Sequence, residues 1–131
     1  MGIFKNIFGS SEASTSNKSN INWITLTDLS QLKEIQESSF QKQAIIFKHS
    51  TSCSISRMAL KYFEKEFQLQ DTVDAYFLDL LNFRAISNEI ATTFGVTHQS
   101  PQLLLIRNGK SIYNVSHDGI DAEILKEKIV K

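Results

Sequence analysis

Apolar residues along the chain fall into two kinds of run. Short continuous runs occupy residues 23–26, 44–47, 75–80 and 103–106. Their lengths and their isoleucine, leucine and aromatic content predict strands, the later three buried on both faces. Between them the apolar positions recur at helical spacing. Leu29, Leu32 and Ile35 form one such stripe, with Thr27 or Asp28 placed to cap it. Over residues 54–69, Ile55, Met58, Ala59, Tyr62, Phe63 and Phe67 mark one face, with Lys61, Glu64 and Lys65 mostly opposite, which predicts a stripe turned to the core. Phe83, Ile86, Ile90 and Phe94 align over residues 82–94, and Gly95 supplies the C-terminal stop. Asn108-Gly109 predicts a tight hairpin turn into a fifth strand with Ile112 and Val115. A last helix over residues 121–130 is expected to turn Ile124, Leu125, Ile129 and Val130 inward.

The predicted order is β-α-β-α-β-α-β-β-α. Right-handed crossovers make the first part of the sheet parallel, and the hairpin adds an antiparallel edge. The fold class is α/β, one mixed central sheet with helices on both faces. The folded domain is expected over residues 21–131. Residues 1–20 read as a flexible tail: residues 9–20 are small and polar, and the preceding Ile3/Ile7 and Phe4/Phe8 pairs make too short a helix to stand alone.

Composition narrows the function classes. A length of 131 residues fits one domain, and 41% apolar residues exclude disorder of the whole chain. Lys plus Arg and Asp plus Glu are both 14, which argues against a bulk electrostatic nucleic-acid binder. No apolar run has the length of a membrane span, and no signal-peptide core is visible. One cysteine forms no internal disulfide, and no Cys/His cluster has zinc spacing, so no metal is expected. A cytoplasmic location is the expectation.

The chemistry concentrates at that cysteine. Cys53 lies where the apolar strand 44–47 passes through polar residues into the next helix. The free N–H groups and the dipole of a helix N-terminus favour a thiolate, the reactive form of the side chain. The alternative is a small buried apolar residue. Hydroxyl-rich flanks and the nearby Lys48, His49 and Arg57 favour the reactive reading.

The element order, with a cysteine after the second strand and the chain's single proline before the fourth, resembles the thioredoxin fold over residues 21–131. Where thioredoxins carry Cys-X-X-Cys, this chain reads Cys53-Ser54-Ile55-Ser56. The run from Lys48 to Ser56 is similar to the active-site stretch of the monothiol bacilliredoxins, typically Thr-Cys-Pro-Ile-Ser. Cys53, Ile55 and Ser56 match it, while Ser52 replaces the threonine and Ser54 the proline. Phe47 stands where thioredoxins keep a buried aspartate. The resemblance implies a cytoplasmic thiol–disulfide oxidoreductase that removes bacillithiol from client proteins through Cys53. It implies bacillithiol as co-substrate rather than any bound cofactor, and bacillithiolated clients and a dithiol recycling partner as partners. Ser56 would hydrogen-bond the thiolate or else face solvent. Lys48 and Arg57 would favour the thiolate or else be solvated charges, and His49 would shuttle protons or else be a loop histidine with no such task. Ser100-Pro101 would be a cis step facing Cys53, with Ser100 presenting its backbone to an extended client. The rival readings are a thioredoxin-like binding or redox-sensing module without turnover and a monothiol glutaredoxin-like iron–sulfur carrier. The carrier family's Cys-Gly-Phe-Ser differs at both middle positions.

Overall fold

The computed structural model describes residues 21–69 and 71–129. The expected tail lies outside the described residues. The strands are β1 (Ile24–Thr25), β2 (Ala44–His49), β3 (Asp74–Asp79), β4 (Gln102–Arg107) and β5 (Lys110–Ser116). The helices are α1 (Ser30–Ser38), α2 (Ser54–Glu66), α3 (Arg84–Phe94) and α4 (Ala122–Ile129). The sheet runs β1-β3-β2-β4-β5. β3 pairs in parallel with both β1 and β2, β4 is antiparallel to β2, and β5 to β4.

The central strand has both faces covered, which is why its apolar run is continuous. Successive side chains alternate between faces. Ile45 and Phe47 join Phe63, Phe67, Leu125 and Ile129 in a core under α2 and α4. Ala44 and Ile46 join Leu32, Ile35, Ile86 and Ile90 in a core under α1 and α3. Gly95 adopts φ 65°, and the hairpin residues Asn108 and Gly109 have φ 53° and 78°, as their positions require.

Several expectations are corrected. α2 stops at Glu66 rather than near residue 69, because Phe67 turns extended to enter the core. Its predicted core stripe is split: Phe63 is buried, but Ile55, Met58 and Tyr62 are 56%, 55% and 53% exposed. The sheet lies under Phe63 and Phe67, and the helix overhangs it on the other three. Leu29 precedes α1 and is exposed, as is Ile124 on α4. At α1, Asp28 takes the Ser30 N–H at 2.8 Å, one residue ahead of the formal cap.

Candidate active site

β2 runs two residues beyond its apolar stretch, ending in Lys48 and His49. The chain then leaves the sheet, and Cys53 takes an extended conformation (φ −109°, ψ 123°) as the N-cap of α2. The turn is closed by the Cys53 N–H donating to the Ser50 carbonyl at 3.2 Å. Cys53 is a free, partly exposed thiol. The first-turn N–H groups of α2, on Ser54, Ile55 and Ser56, point toward this end of the helix with no intrahelical acceptor.

Ser56 is fully buried. Its Oγ accepts the Ser50 N–H at 3.0 Å and shares a hydrogen bond with His49 Nδ1 at 2.8 Å. It is therefore neither solvent-facing nor committed to the thiol: it ties the strand end, the turn and the helix together. His49 is a buried strand residue, not a loop histidine. Its ring lies 5.5 Å from that of Phe77. Burial pushes His49 below the ordinary imidazole range, against the opposing pull of Asp79, and Arg57 adds to the push.

The other expected residues separate into two groups. Arg57 donates from Nη1 to the Thr51 carbonyl at 2.9 Å and straps the outside of the turn. Ser52 is exposed and meets Ser50 through their hydroxyls at 3.3 Å; Ser54 is exposed at the first position of α2. Ile55 is exposed too. With Met58, Ala59, Tyr62, His117, Asp118 and Ile120 it lines a mainly apolar groove of about 280 Å³ beside the cysteine turn. Lys48 is corrected: it alternates with His49 and so turns away from α2 and the thiol, to the α1/α3 side, where it is fully buried.

The Ser100-Pro101 bond is cis. It immediately precedes β4, whose Gln102 is the cross-strand partner of Lys48. The cis step thus stands at the same end of the sheet as the cysteine turn. The Pro101 carbonyl accepts the His117 N–H at 3.0 Å. Ser100 Oγ is buried without a hydrogen-bond partner. Among the described residues no cluster of His, Cys, Asp or Glu has the makings of a metal site, and no helix is long and apolar enough to cross a membrane.

A family model described as monothiol bacilliredoxin BrxC matches residues 24–125, which include the whole of this site up to α4. The chain belongs to the monothiol bacilliredoxin family. A solved structure described as an oxidoreductase with a thioredoxin fold is 32% identical to this bacilliredoxin, with a TM-score of 0.70 over 79% of this chain and 90% of the other. The thioredoxin of Malassezia sympodialis (22% identity, TM-score 0.64, 86% and 92% coverage) shares the fold. So does that of Trypanosoma brucei brucei (20%, 0.65, 84% and 93%). The protein is a thioredoxin-fold member of a redox family, with its only thiol at the α2 N-cap.

The sequence reading missed His98, Ser87 and Gln102. His98 Nδ1 lies 3.1 Å from Lys48 Nζ and 3.2 Å from Ser87 Oγ. The available signal was the lysine itself, at a position whose parity in β2 belongs to a buried face.

Proposed function

We propose that this bacilliredoxin is a monothiol thiol–disulfide oxidoreductase that frees client proteins of bacillithiol through Cys53. The observation that carries the reading is the pairing of a partly exposed Cys53 at the N-cap with a buried serine, not a second thiol, three residues on. Cys53 thiolate attacks the bacillithiol sulfur of the client's mixed disulfide. A new Cys53–bacillithiol disulfide forms, the old bond breaks, and the client sulfur leaves as a thiolate that takes a proton from water. A second bacillithiol thiolate then attacks the bacillithiol sulfur held on Cys53. Oxidised bacillithiol leaves and Cys53 thiolate returns; a dithiol partner can serve in its place. No electron pair is left over, and no bound cofactor is needed.

Ser56 and His49 support the thiolate from below. N-cap and N3 side chains face each other across the first turn of a helix. With the Ser50 N–H and a protonated His49 Nδ1 both donating to Ser56 Oγ, the serine's own hydroxyl proton is free to point at the sulfur. Ser100 and Pro101 receive the client backbone.

The test uses a client carrying a bacillithiol mixed disulfide. The client should be released reduced while the protein gains one bacillithiol by intact mass, on Cys53. Cys53→Ser should do neither. A folded protein whose Cys53 resists alkylation and takes no adduct from oxidised bacillithiol overturns the enzymatic reading. Oxidised glutathione run in parallel identifies the preferred thiol.

A further inference from the structure

β2 ends in two basic residues that serve opposite faces of the sheet. His49 belongs to the cysteine side. Lys48 lies beneath α3 and the connection from α3 to β4, with no exposed surface. Among the described residues no carboxylate pairs with it; its hydrogen-bond partner is His98 Nδ1 at 3.1 Å. Burial pushes the Lys48 ammonium down to about 8. A buried cation without a counter-charge is destabilising and is kept where it has a task.

What Lys48 holds is residues 96–101, the segment that carries the cis Ser100-Pro101 step. His98 is also tied to Ser87 Oγ of α3 at 3.2 Å. Gln102, opposite Lys48 in the sheet, donates from Nε2 to the Thr97 carbonyl at 2.9 Å. The segment is thus anchored from β2, α3 and β4 by side chains, beside the backbone bonds of the Val96 N–H to the Ala91 carbonyl and of the His117 N–H to the Pro101 carbonyl at its two ends.

We propose that Lys48 is a positioning residue: through His98 it fixes residues 96–101 in the form that receives a client chain, and protonation of His98 releases them. The client-binding part rests on the function proposed above. A neutral His98 accepts at Nδ1 from the ammonium. A protonated His98 no longer accepts there, and it sets two cations at hydrogen-bond distance. The charges bearing on His98 are Lys48 from β2 and Arg84 from α3, both positive, so nothing offsets the repulsion. β3 offers Leu78 beside Lys48 and β4 offers Gln102; the His49 and Asp79 pair belongs to the neighbouring register position, whose β2 side chain turns to the cysteine side.

The parent chain, Lys48→Met and His98→Asn are compared by three readouts. Melting should be higher for Lys48→Met than for the parent, since the methionine fills the site without a buried charge. Amide hydrogen exchange in residues 96–101 should nevertheless be faster. KM for the bacillithiolated client should rise about tenfold with little change in kcat. Dividing the client rate by the iodoacetamide alkylation rate of Cys53 removes the titration of the thiol. That ratio should fall on the acid side in the parent and stay level in His98→Asn. Unchanged exchange in residues 96–101 of both variants, or a parent KM in Lys48→Met, overturns the proposal. Faster exchange in a parent-inactive system would uphold the anchoring and overturn the client reading instead.

Discussion

The Ser56 hydroxyl binds a backbone N–H at 3.0 Å and an imidazole nitrogen at 2.8 Å inside a site with no solvent exposure. Removing it leaves two buried polar groups without a partner, each worth about 1–3 kcal/mol. Ser56→Ala should therefore lower stability by about 2 kcal/mol or more, measured by urea unfolding; a change within error would mean water replaces the hydroxyl. Ser56→Cys preserves the shape but not the bonding. It should allow an internal disulfide with Cys53, seen as the loss of two hydrogens by intact mass after oxidation, and should prevent the bacillithiol adduct from accumulating. The cysteine was readable from its turn and its hydroxyl-rich flanks. The partners of Ser56 were not, because a serine's burial depends on where His49 turns, and that follows from strand parity rather than from the motif. Lys48 was hidden for a different reason. A lysine is ordinarily a surface residue; its burial here comes from its place on the α1/α3 face of the central strand, and its partner, His98, lies fifty positions along the chain.

Helix α2 carries two apolar sets with different tasks. Phe63 packs against Phe47 and Phe67 with ring centroids 5.8 and 5.0 Å away. Phe63→Ala should cost about 3–5 kcal/mol, whereas Met58→Ala, on a half-exposed side chain, should stay within about 0.5 kcal/mol. Equal losses would place Met58 in the core after all. Periodicity showed that one side of α2 is apolar but not how far the sheet extends beneath it. That limit is set by the width of the neighbouring strands, which is a tertiary property. Local punctuation was more readable. Gly95 and the Asn108-Gly109 pair need positive φ whatever surrounds them, and both adopt it. Gly95→Ala meets open space, so only backbone strain opposes it. Its expected loss is about 1–2 kcal/mol, checked by the shift in Tm.

The element order and the mixed α/β sheet follow from alternating runs of strand and helix pattern, and that level of the fold was legible; the strand order β1-β3-β2-β4-β5 was not, because which strands pair is a tertiary property of the sheet. Its two faces also set the pH response. His49 on one side and His98 on the other are both held below the ordinary imidazole value, first by burial. The unfolded chain therefore binds more protons than the folded one once pH drops below about 6.5. Stability should fall as pH descends from about 6.5 through the two folded-state values, while Lys48, lowered from 10.5 to about 8, makes it rise again as pH climbs through that alkaline window. A Tm that rises on mild acidification would contradict the assignment. A last consequence belongs to β1, which pairs with β3 at Ile24↔Tyr76 and Thr25↔Phe77, with one further backbone bond from the Leu26 N–H to the Phe77 carbonyl at 2.9 Å. Its neighbours hold it instead: Leu26 is fully buried, and Trp23 lies among Phe47, Phe63 and Phe77 with its Nε1 donating to Glu64 at 2.6 Å. The strand is attached by its flanking side chains more than by its ladder, so two spectroscopic clocks should separate. Amides of Ile24 and Thr25 should exchange with solvent well before those of β2, while the fluorescence of Trp23, the chain's single tryptophan, changes only when the entire molecule unfolds.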